Sequence, residues 1–166
     1  MRLAFFASLI SYGFLAAWYA APWLKRQDRG DALSALLWIN AFRYVVVYIS
    51  AAPHDGYPIT ETAAAQLYAG DMAGAALAFV ALLLLRKRST LGIGVSWLLI
   101  VETVVDVGVG IYQRAIEPPR PAPIGVWWLI FTFFGPLVFV SLVALGWQLV
   151  SRRAEPLERT VRAGAE

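Results

Sequence analysis

Five apolar stretches, at about 3–22, 33–52, 62–85, 91–113 and 125–150, occupy nearly the whole chain. Each reaches the ~20 residues that an α-helix needs to cross a hydrocarbon core roughly 30 Å thick. Backbone in lipid must satisfy its own hydrogen bonds, which restricts such segments to helices. The expected fold is therefore all-α, a polytopic integral membrane bundle of five transmembrane helices over residues 1–151. Residues 152–166, SRRAEPLERTVRAGAE from Ser151 onward, read as a short, charged and partly disordered cytoplasmic tail. Composition agrees: 60% of the 166 residues are hydrophobic and 15% charged. A soluble domain carries about 25% charged residues.

The basic residues set the direction of the spans. Lys25, Arg26 and Arg29 follow the first stretch, Arg86, Lys87 and Arg88 the third, and Arg152, Arg153, Arg159 and Arg162 the fifth. The other side has Arg2, Arg114 and Arg120, and Arg43 stands inside a span. The positive-inside rule then places the N-terminus outside and the C-terminus in the cytoplasm, as in a bacterial cytoplasmic (inner) membrane protein. A cleaved signal peptide ending in the Ala-rich residues before Pro22 would deliver Lys25–Arg29 to the outside, against this bias. The first stretch is read as a retained span. Trp23, Trp147 and the pair Trp127-Trp128 fall near the ends of their spans, where an apolar ring meets lipid and its polar edge meets water.

Several functions drop out. The chain has no cysteine, so disulfides and thiol chemistry are excluded. His54 is the single histidine, so a haem held by paired histidines is excluded too. In the loop APHDGYP, His54 and Asp55 read as a solvated turn and not as a metal site. No GxSxG, HExxH or phosphate-loop motif occurs, and no cofactor is expected. The net charge of +3 resides in the clusters between spans, which points to the lipid bilayer as partner and away from nucleic acid.

Two features bear on helix packing. Gly135-Pro136 lies mid-span and predicts a kink, because proline lacks a backbone donor and collides with the preceding turn. In YAGDMAGAALA, Gly70, Gly74 and Ala78 recur every fourth residue, a groove that admits a neighbouring helix of the same chain.

The most informative residues are polar ones at mid-membrane depth. Glu102 and Asp106, in VETVVDVG, are roughly 6 Å apart along a helix and about 40° apart around it, so they share a face. The same stripe continues outward to Gln113. Arg43 sits near the centre of the second span, with Asn40 a turn below and Tyr44 and Tyr48 above. Asp71 lies near the centre of the third span, and Tyr68 stands a turn further out. Each central charge would cost about 2.5–3.5 kcal/mol facing lipid, so Arg43, Asp71, Glu102 and Asp106 are expected to turn inward and meet. One guanidinium cannot neutralise three carboxylates. A proton or a cation is expected to supply the missing charge, with Glu102 and Asp106 titrating as a coupled pair.

The segments LLWINAFRY, YAGDMAGAALA, LIVETVVDVG and WQLVSRR resemble a family of small bacterial multispanning membrane proteins that carries no assigned activity. In architecture alone the chain is also similar to sterol-isomerase and sigma-2-receptor-like bundles, which bind lipophilic amines or sterols near intramembrane acids. The isomerases' catalytic histidine has no counterpart within a span here. Three functions stay open. The first is a pocket that binds or transports a proton, a cation or a lipophilic cationic small molecule. Tyr44, Tyr48 and Tyr68 would be available for cation–π contact, and a homodimer is one form it could take. The second is a membrane enzyme that uses Glu102 and Asp106 as acid and base on a lipid-soluble substrate. The third is an accessory subunit whose ionic knot only fixes helix register.

Overall fold

A computed structural model describes residues 2–54, 59–116 and 126–157. Its regular elements are helices, and five are long and apolar enough to cross a membrane. They run Leu3–Arg26, Arg29–Ala51, Glu61–Arg86, Leu91–Gln113 and Val126–Ser151, and are called the first to fifth helices. Asp55, Arg120, Gly125, Arg159 and Arg162 lie outside the described residues.

The second helix packs on the third and the fifth, the third on the fourth, and the first lies against the fifth alone among the larger contacts. The second helix is the most buried of the five, and its central residues are best placed to hold buried polar groups. Leu33, Leu36, Leu37, Ala78, Ala81, Leu99 and Leu145 form a core toward the end that carries the Arg86–Arg88 turn. A second core, toward the opposite end, contains Val46, Ile49, Ala63, Ala64 and Trp127. Ala78 and Ala81 of the third helix are fully buried in the first core, where small side chains let neighbouring helices approach closely.

The long helices are not uniform α-helix. From Phe42 to Ala51 the second helix winds as a 3-10 helix, far beyond the usual three or four residues of that form. Its buried residues, Arg43, Val46 and Ile49, recur every third position, as three residues per turn require. The β-branched run Val45-Val46-Val47 has a modest α-helical preference, which lowers the resistance to this change.

Both intrahelical prolines are met by a π-helical turn. The amide of Ala21, just before Pro22, donates to the carbonyl of Ala16, and that of Gly135, before Pro136, donates to Ile130. These bonds reach back five residues in place of four, which accommodates the ring and the missing donor of the proline. The distortion expected at Gly135-Pro136 takes this form.

Residues 152–157, which begin what the sequence suggests is a loose tail, are tied to the bundle. Arg152 donates to the carbonyls of Leu24 at 3.2 Å and Gln27 at 3.0 Å, and to Glu155 Oε2 at 2.8 Å. Arg29 donates to the carbonyl of Glu155 at 2.9 Å, and the amide of Gly30 to that of Leu157 at 2.9 Å. Both arginines are buried, so they fasten the ends of three helices together as well as adding to the charge bias.

Candidate functional site

The layer of polar side chains lies between the two apolar cores, on the second, third and fourth helices. Arg43 is its centre, with only 2% of its side chain exposed. Its Nε donates to Asp71 Oδ1 at 2.7 Å, and Nη1 donates to Thr103 Oγ1 at 2.6 Å. Glu102 Oε2 stands 3.6 Å from Nη1, and Asp106 Oδ2 stands 3.8 Å from Nη2. The geometry separates the three acids. Asp71 is bonded directly to the guanidinium, while Glu102 and Asp106 are at ion-pair distance and beyond good hydrogen bonding.

Thr103 links Glu102 to the arginine. Its Oγ1 accepts from Arg43 and lies 3.2 Å from Glu102 Oε2 and 2.9 Å from the carbonyl of Leu99. A hydroxyl has one proton to give, so donation to Glu102 and donation to Leu99 are alternatives. Thr103 was not among the candidates from the sequence. The signal was present, since it follows Glu102 directly and lies one turn beyond Leu99 on the buried side.

The third helix supplies the floor. A β-carbon at Gly74 would overlap the Arg43 guanidinium, and one at Gly70 would overlap the Asp106 carboxylate. The small-residue stripe therefore admits charged side chains from two neighbouring helices of the same chain. Ala78, the next step of the stripe, is fully buried in the apolar core.

The carboxylates are less enclosed than their partner. Side chains of Asp71, Glu102 and Asp106 are 20%, 19% and 16% exposed. Arg43 is thus sealed while the acids reach an accessible surface. This asymmetry allows something from outside the cluster to contact a carboxylate without first displacing the guanidinium.

The remaining candidates lie on the same three helices, outside the Arg43 ion pairs. Asn40 donates to Ser141 Oγ of the fifth helix at 3.1 Å and to the carbonyl of Leu36 at 3.0 Å, and its buried Oδ1 has no hydrogen-bond partner among the described residues. Tyr44 is half-exposed and its ring meets Phe42. Tyr48 is half-exposed and stacks on Trp127, with centroids 5.4 Å apart. Tyr68 is 38% exposed, and Gln113 is intermediate in burial. Among the described residues, no group of three or more His, Asp or Glu side chains has the arrangement of metal ligands.

A family described as a domain of unknown function (DUF8737) matches residues 1–150. The chain belongs to this family. The DUF8737 match contains Arg43, Asp71, Thr103, Glu102 and Asp106, and it stops just before the Arg152 fastening. No curated protein and no solved structure matches the chain.

Proposed function

We propose that the chain spans a bacterial cytoplasmic membrane five times and binds or transports a proton or lipophilic cation at the Arg43 cluster. The end bearing Lys25–Arg29, Arg86–Arg88 and Arg152 is taken as cytoplasmic because basic residues favour that side. The N-terminus then lies outside.

One observation carries the functional reading. Three carboxylates surround a single buried guanidinium, and only Asp71 lies within hydrogen-bonding distance of it. With all groups ionised, one positive charge against three negative ones leaves −2 in a poorly solvated layer. A proton or a cation at Glu102 and Asp106 removes the excess. Both carboxylates keep acceptor positions that Arg43 does not occupy, and both are partly accessible. A purely structural ion pair needs one acid for one arginine.

The test uses tetraphenylphosphonium as probe cation in equilibrium dialysis against the purified protein. Saturable binding is expected in the wild type and in a Glu61→Gln control, with at least a tenfold loss in Glu102→Gln/Asp106→Asn. Equal binding by this double variant in folded form would reject the cluster as the cation site.

A further inference from the structure

A cavity of about 430 Å³ opens at the basic end of the bundle, away from the Arg43 layer, between the second and third helices. The volume is within the range of small-molecule sites. Asp28 and Asp31, at the start of the second helix, line it together with Arg86 and Arg88, at the end of the third. Trp38 and Phe79 line it further toward the bundle centre, each seven residues from Asp31 or Arg86, or about 10 Å along its helix. Leu82 and Leu83 continue the apolar wall. The site is therefore amphipathic along the helix axis, with both signs of charge at one end and aromatic and aliphatic groups at the other.

Two independent details mark this as more than a packing gap. The third helix ends in a Schellman turn, in which Arg88 N donates to Leu85 O at 2.8 Å and Ser89 N to Leu84 O at 2.9 Å. This turn puts Arg88 at φ 58°, the left-handed position where glycine is the usual residue. A residue held in a strained backbone conformation at a cavity wall points to a use for its side chain. The second detail is Leu157, which lines the cavity and whose carbonyl accepts the Gly30 amide. The fastened tail thus builds one wall.

We infer that this cavity binds an amine-bearing phospholipid, a diacyl phosphoethanolamine. Arg86 and Arg88 take the phosphate, where guanidinium donors match phosphate oxygens. Asp28 and Asp31 take the ammonium. Trp38, Phe79 and Leu82 receive the glycerol and the upper acyl chain. The assignment rests on the reading that this end of the bundle lies at a membrane interface, and it is independent of the cation site.

Native mass spectrometry of delipidated protein, titrated with phosphatidylethanolamine, phosphatidylcholine and phosphatidylglycerol, tests it. The ethanolamine lipid is expected to bind at least fivefold more tightly than either of the others. Arg88→Gly should weaken it at least fivefold with an equal or higher melting temperature, since glycine suits the turn better. Asp31→Asn should erase the preference for ethanolamine over glycerol headgroups, and serves as the second variant. Unchanged affinity in Arg88→Gly, or equal binding of all three lipids, overturns the assignment. Soluble O-phosphoethanolamine binding as tightly as the lipid overturns the lipid in favour of a free headgroup. Glu102→Gln/Asp106→Asn should keep its lipid and Arg88→Gly its tetraphenylphosphonium binding, so the two readings stand or fall separately.

Discussion

Gly74 lies so close to Arg43 that a β-carbon there would occupy the space of Nη1 and Cζ. The guanidinium cannot readily move aside, because Asp71 and Thr103 hold it from two helices. Gly74→Ala should therefore cost about 1–3 kcal/mol, as overpacking of a tight interior does. Among the described residues, nothing lies within 4 Å of the corresponding position at Gly94. Gly94→Ala should be neutral or stabilising, since alanine is better in a helix by roughly 0.5–1 kcal/mol. Melting temperatures of both variants in one detergent check the contrast.

Removing the arginine strands the acids. Arg43→Met should lower yield or melting temperature strongly, in keeping with the roughly 3–5 kcal/mol for breaking a buried pair by deleting one partner. Adding Asp71→Asn should recover part of that loss, because Asp71 accepts the 2.7 Å bond. Glu102→Gln should recover less than Asp71→Asn does. A double-mutant cycle on thermal stability measures both. Strict additivity would mean that Arg43 is coupled to neither acid.

Thr103→Val keeps the shape and removes the oxygen that accepts from Arg43 Nη1. Loss of a hydrogen bond to a charged group is worth about 1.5–3 kcal/mol, and the variant should be destabilised accordingly. Thr103→Ser should retain most of the wild-type melting temperature. Equal effects of the two changes would place the importance of Thr103 in its methyl group.

At the basic end, Arg152 reaches Leu24, Gln27, Gln148 and Glu155 with a branched planar head. Lysine has a single ammonium and cannot span those acceptors. Arg152→Lys should release the segment around Glu155 to limited proteolysis while the bundle stays folded. Unchanged cleavage would show that the neighbouring Gly30–Leu157 bond suffices.

For topology, reporter fusions after Ala52 and after Arg153 should read outside and inside respectively. Both on one side would reject the proposed arrangement.

The five helices were legible because runs such as LLLLR and WLLIVE leave a membrane-length segment few other options. The meeting of Arg43 with Asp71, Glu102 and Asp106 was legible from depth and helical period. The glycines were legible only as a groove, since their spacing is the same whether a backbone or a guanidinium fills it. The tail was not. Arg152 reads in sequence as one more positive charge, and only the fold brings Leu24 and Gln27 to it. Nor was the 3-10 segment legible, because a run such as FRYVVVYISA is apolar nearly throughout and fits either winding.

That change of winding sets different rules of substitution along one helix. Before Phe42, the buried positions Ala32, Leu33, Leu36, Leu37, Asn40 and Ala41 alternate in steps of one and three. Beyond it they fall in strict threes, at Arg43, Val46 and Ile49, with Ala52 next in line. Val45, Val47 and Tyr48 face outward between them. A scan of polar substitutions should therefore beat with two frequencies, switching at Phe42 from an uneven rhythm to a regular triplet. The triplet would start on Arg43, so the residue that organises the charges also marks where the chain begins to count differently.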